Sequence, residues 1–157
     1  MNRMLRFAII FAGAITINAP AFAQQPAAPA PAWPQIVTDH VTAVRKTVKT
    51  MDAKGYLELL KNPNGALILD VREPAEFAAG HVPGAVNIPR GLVEFQIYKV
   101  MGYPNKVDTT RKIYVQCATG GRAVLATATL EKIGFKAVTA VTINWADWQK
   151  AGNPSVM

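Results

Sequence analysis

The chain has 157 residues, half of them hydrophobic and 17% charged, with 17 Lys and Arg, 10 Asp and Glu, two His and one Cys. This balance excludes an intrinsically disordered chain, and a single Cys excludes an internally bridged disulfide scaffold. A net charge of +7 allows a nucleic-acid partner, but the basic residues stand singly or in pairs and form no stripe, so a small anionic substrate fits as well.

Residues 1–23 order as a secretory signal. Arg3 and Arg6 form a basic start, Phe7 to Ile17 an uncharged, mostly apolar run, and Ala21-Phe22-Ala23 a small-residue cleavage site. A membrane anchor needs about 20 apolar residues, and Asn18 and Pro20 interrupt this run first. Export to the bacterial periplasm is therefore expected, with cleavage after Ala23 and no stable membrane insertion afterwards. Removal of the two arginines leaves 15 positive against 10 negative side chains, or +5. Residues 24–35 hold four prolines and four alanines, which predicts an extended tether with Trp33 as its first docked residue.

The folded part is expected over 36–157. Ile36 to Val48 suits either a short helix or an irregular lead-in. Asp52 is a helix N-cap, followed by Ala53, Tyr56, Leu57 and Leu60 on one helical face. Ala66 to Val71 is a short apolar run between turn signals, the pattern of a strand buried on both faces of a parallel sheet. Pro74 to Gly80 predicts a short helix, and Ala85 to Ile88 a brief extended segment. Gly91 to Met101, apolar nearly all round, predicts a helix packed over the sheet. Lys112 to Gln116 is a second buried strand. Gly121 to Ile133 is a helix with Ala123, Ala126, Leu130 and Ile133 inward, ended by Gly134. Ala137 to Thr142 is a third strand. Asn144 to Ala151 is a last helix with Trp145 and Trp148 on its buried face. Alternating strands and helices predict an α/β fold of three layers, with a largely parallel central sheet flanked by helices.

The chemistry concentrates in Lys112 to Ala123, KIYVQCATGGRA. A hydrophobic strand delivers Cys117 into a short loop of Ala118, Thr119, Gly120, Gly121 and Arg122, and a helix follows. The glycines let successive N–H groups turn inward as an anion nest, and the helix start adds its dipole. Arg122 adds a fixed positive charge. Such a cradle suits a thiolate, the nucleophilic form of cysteine. In open α/β sheets the ligand crevice also lies at the carboxyl ends of strands, where this loop stands. The alternative is a buried structural Cys. Such a residue needs neither the glycines nor the arginine, and an unpaired thiol is a liability in an oxidising compartment.

Cys117-Ala118-Thr119-Gly120-Gly121-Arg122 resembles the C-x-x-G-x-R loop of rhodanese-type sulfurtransferases. Leu67 to Glu73 resembles the family's strand ending in Asp-x-Arg. Glu76-Phe77 and Gly80-His81-Val82-Pro83-Gly84-Ala85-Val86-Asn87-Ile88-Pro89 match its second signature. The resemblance spans about residues 48–152. It implies a rhodanese-like domain in which Cys117 takes sulfane sulfur from thiosulfate or a similar anionic donor as a persulfide. A small thiophile or a protein then accepts that sulfur. It also implies that Arg122 holds the loop and meets the anion, and that no cofactor or metal is needed. Asp70 and Arg72 resemble residues that support the loop; an ordinary surface ion pair is the alternative. His81, inside a Gly-His-Val-Pro-Gly turn, is expected to be structural. Val141-Thr142-Ile143-Asn144 stands where the family often has a Gly-Gly turn, and 36–47 and 91–111 look longer than in minimal members. A phosphatase or arsenate reductase is a rival, but its loop is one residue longer between Cys and Arg. A non-catalytic sulfur carrier or redox-sensing module is the other rival.

Overall fold

The computed structural model describes residues 33–157. The expected signal segment and most of the tether lie outside the described residues. Five strands form one sheet: β1 (Thr50–Met51), β2 (Leu67–Asp70), β3 (Val86–Asn87), β4 (Ile113–Gln116) and β5 (Val138–Val141). Their order is β1-β5-β4-β2-β3, and every neighbouring pair is parallel. The helices are α1 (Gln35–Arg45), α2 (Ala53–Lys61), α3 (Pro74–Ala78), α4 (Val93–Val100), α5 (Gly121–Lys132) and α6 (Trp145–Lys150), with a 3-10 turn at Arg90–Leu92.

Period-2 alternation along the strands builds two cores. Leu67, Leu69, Ile113 and Val115 face one side, where Ile97 of α4 and Leu130 of α5 cover them. Ile68 and Val141 face the other, against Tyr56 of α2 and Trp145 and Trp148 of α6. The three layers thus follow from strands buried on both faces. The chain leaves β2 toward β3 and leaves β4 toward β5 on the opposite side. The strand order therefore reverses between β2 and β4, and the ligand crevice of such a sheet opens there.

Several expectations resolve into detail. Asp52 does cap α2, its carboxylate accepting from Gly55 N at 2.8 Å. Asn144 caps α6 by accepting from Ala146 N and Asp147 N. The lead-in is a helix, α1. β3 lies inside the expected extended segment Ala85 to Ile88, whereas β1, of two residues, is too short to leave a period in the sequence.

Three expectations need correction. Trp33 is not docked: it is 74% exposed, because Pro34, extended at φ −52° and ψ 142°, leads straight into α1. Ala53 is exposed, so α2 buries Tyr56 and only partly Leu57 and Leu60. The 91–101 segment packs by one face alone. Val93, Ile97 and Met101 are buried, whereas Phe95 is 78% exposed.

Candidate active site

Cys117 is the first residue beyond β4, at the carboxyl end of the strand beside the switch point. Val71 N donates to Gln116 O at 2.9 Å and fixes the strand end from which the loop departs. Gly120 then adopts φ +85° as the N-cap of α5. That left-handed turn folds the loop back over the sulfur. Gly120 N lies 3.2 Å from Cys117 Sγ and Ala123 N lies 3.4 Å from it, both donating. A Cβ on Gly120 would stand 3.3 Å from Thr142 Cα, so glycine is needed here for space as well as for φ. The first turn of α5 leaves the N–H groups of Gly121 and Arg122 without acceptors inside the helix. Ala118 O accepts from Trp145 N at 2.8 Å, tying the loop to α6. Cys117 is buried, Ala118 half-buried and Thr119 exposed, so the sulfur sits under a thin cover.

Arg122 turns its planar fork to Glu76 of α3. Nη1 and Nη2 donate to the two carboxylate oxygens at 2.7 and 2.8 Å. The hydrogen bonds from Arg122 hold the Glu76 carboxyl down at about 2, and Glu76 in turn raises Arg122 above its ordinary value. Arg122 is therefore a clamp between the start of α5 and α3, and its two terminal nitrogens face Glu76. In the sequence Glu76 belongs to the second signature, with nothing beside it to mark a role. Its capping-box position is legible there, and it does accept from Glu73 N at 3.1 Å. Its pairing with an arginine 46 positions away is not.

Asp70 and Arg72 are not a surface ion pair. Both are buried, with Arg72 Nη2 donating to Asp70 Oδ2 at 2.7 Å. Arg72 Nη2 also donates to Gly80 O at 2.7 Å, and its guanidinium lies 4.4 Å from the centre of the Trp145 ring. Asp70 Oδ2 further accepts from Gln116 Nε2 at 2.8 Å, and Gln116 Oε1 accepts from the Tyr56 hydroxyl at 2.6 Å. Burial, with the nearby Asp70 charge, pushes the Tyr56 hydroxyl far above its usual range. Arg72 meets the loop through Trp145, whose amide holds Ala118. Tyr56 and Gln116 stand 60 positions apart, so no local signal joins them to this network. His81 does hold a turn: Nδ1 is 3.0 Å from Phe77 O, and the ring stacks on Phe77 at 3.8 Å.

The profile of the rhodanese-like domain matches residues 52–151. The chain belongs to this family. It is 34% identical over 99 residues to Thiosulfate sulfurtransferase 16, chloroplastic, of Arabidopsis thaliana, a match covering 58% of this chain and 80% of that protein. It is 30% identical over 110 residues to YrkF of Bacillus subtilis, whose name proposes a sulfur carrier; the match covers 70% of this chain but 56% of YrkF. A polysulfide-sulfur transferase homodimer from Wolinella succinogenes superposes with a TM-score of 0.62 at 27% identity, covering 77% of this chain and 87% of that one. These relatives support sulfur transfer in general terms. The rhodanese match contains the whole Cys117–Arg122 loop, Glu76 and the Asp70–Arg72 pair, but α1 and β1 precede it. No helix among the described residues is long and apolar enough to cross a membrane.

Proposed function

We propose that this rhodanese-like domain is a sulfurtransferase that works through a persulfide on Cys117, in the bacterial periplasm after removal of residues 1–23. One observation carries the reading. The lone thiol receives two backbone N–H groups at the start of a helix, at the sheet's switch point. In the first step the Cys117 thiolate attacks the outer sulfur of thiosulfate. The Sγ–S bond forms, the sulfur–sulfur bond of thiosulfate breaks, and sulfite leaves with the bonding pair. The new terminal sulfur carries the negative charge, next to the amides of Gly121 and Arg122. In the second step a thiophile such as cyanide or a thiolate takes that sulfur and returns Cys117 as thiolate. Charge and atoms balance in both steps, and no cofactor enters. The covalent intermediate predicts ping-pong kinetics. Four residues between Cys117 and Arg122 make a tighter loop than a phosphatase uses, which suits a single sulfur atom over a tetrahedral phosphate.

Mass spectrometry of residues 24–157 before and after thiosulfate tests the proposal. Wild type should gain one sulfur and lose it to cyanide over many turnovers. Cys117→Ser should stay folded and gain nothing. Sulfur gain without turnover on any small acceptor would assign a carrier instead. Transfer retained by Cys117→Ser, or a Cys117 that reacts only after denaturation, would refute the enzyme.

A further inference from the structure

Arg45, the last residue of α1, brings a second guanidinium to the loop. Its Nη2 lies 3.5 Å from where a Cβ on Gly120 would stand. Gly120 N in turn donates to Cys117 Sγ at 3.2 Å. Standard backbone dimensions then limit the distance from Nη2 to Sγ to about 9 Å. That is roughly one Debye length at physiological salt, so the charge reaches the sulfur incompletely screened. The helix bearing Arg45 is seated and not merely near. α1 packs on α5, and both Val41 methyl groups lie 3.8–3.9 Å from where a Cβ on Gly121 would stand. Thr142 of the departed Gly-Gly position walls the same spot, its Cα 3.3 Å from the Gly120 Cβ position.

The two arginines differ in commitment. Arg122 gives both terminal nitrogens to Glu76. Arg45 is exposed, and the ion pairs among the described residues join Lys61, Arg72, Arg90 and Arg122 to carboxylates, not Arg45. A cation held at the mouth of an anion cradle with no carboxylate on it is available for an incoming anion. Arg45 also lies outside residues 52–151, so it is supplied by the segment that precedes the family match.

We propose that Arg45 is a specificity-determining residue that selects sulfur donors by charge. It attracts the oxygen-bearing end of a dianionic donor while the loop amides take the sulfane sulfur. This rests on the sulfurtransferase reading above. The test compares thiosulfate, a dianion, with methanethiosulfonate, a monoanion. In Arg45→Gln, KM for thiosulfate should rise about tenfold and KM for methanethiosulfonate about threefold, with kcat nearly unchanged, as loss of one steering charge requires. Arg45→Lys should recover most of the thiosulfate KM, because charge and not the fork is at work. Calorimetric binding of thiosulfate to Cys117→Ser, with and without Arg45→Gln, reads the same contact without turnover and should weaken about tenfold. If wild type transfers no sulfur yet this binding difference persists, the charge role stands and the transfer reading falls. If transfer is normal and Arg45→Gln alters neither KM nor binding, the Arg45 proposal falls alone. Equal loss on both donors with a lowered Tm would make Arg45 a structural residue and also overturn it.

Discussion

Gly120 meets two demands at once, a φ of +85° and a close approach to the backbone of Thr142. An alanine there must enter the left-handed region, which costs about 1–2 kcal/mol, and must also push Thr142 away. Gly120→Ala is expected to lower stability by about 2 kcal/mol in urea unfolding and to reduce thiosulfate turnover more than tenfold, because the Gly120 N–H loses its aim at Sγ. Arg122→Lys keeps a charge but cannot bond both Glu76 oxygens as a planar fork. Its kcat/KM should fall by about 2–3 kcal/mol of transition-state stabilisation, while urea unfolding changes far less. Retention of near-normal kcat/KM would show that the clamp does not set the loop. Glu76 gives a pH signature. Its carboxyl titrates at about 2 in the fold against an ordinary 4.5, so it binds protons more readily when unfolded. Its stabilisation is present above pH 4.5 and is lost as pH falls from there to about 2. Glu76→Gln should flatten that part of the stability–pH curve, measured by thermal melts.

Among the helices, α5 carries the heaviest load. It supplies an amide to the sulfur, holds Arg122 in its first turn, and buries Ala123, Val124, Ala126, Thr127 and Leu130. Thr127 is the exception in that face: its Oγ1 is buried with no hydrogen-bond partner. A buried hydroxyl left unpaired costs about 1–3 kcal/mol. Thr127→Val keeps the shape and removes that cost, so it should leave sulfur transfer intact and raise stability by up to about 1 kcal/mol. A loss of stability would mean that the hydroxyl finds a partner in solution. α1 behaves differently. It buries no residue fully, yet it packs on α5. Its contribution lies in what it brings to the loop more than in core burial.

At the scale of the molecule, one buried polar chain joins β2, β4, α2 and α6 beneath the loop. It runs from the Tyr56 hydroxyl through Gln116 and Asp70 to Arg72 and the Trp145 ring. Asn87 adds the neighbouring edge, its Nδ2 donating to the carbonyls of Asp70 and Arg72 at 2.9 Å each. Removing one charge of a buried pair leaves the other uncompensated, at about 3–5 kcal/mol. Asp70→Asn should therefore be among the most destabilising single substitutions in the domain, read as a lower urea midpoint. It should also raise the reactivity of Cys117 toward bulky alkylating reagents, because Trp145 no longer holds Ala118 firmly. A variant that melted like wild type would show that the network is redundant.

By itself the sequence determined the layered α/β fold, the three longer strands, the helix cap at Asp52, and the Cys117–Arg122 loop. These are local: apolar runs, cap residues and glycines act over a few positions, so their signal is contiguous in the chain. The strand order and the pairing of Arg122 with Glu76 were decided only in the tertiary structure. So were the burial of Asp70 with Arg72 and the arrival of Arg45 beside Gly120. The arginine contacts join residues far apart in sequence, with no period to mark them, and all of these features depend on how the helices pack over the sheet. The two-residue strand β1 belongs with them, since so short a segment becomes a strand only because a longer neighbour offers its backbone.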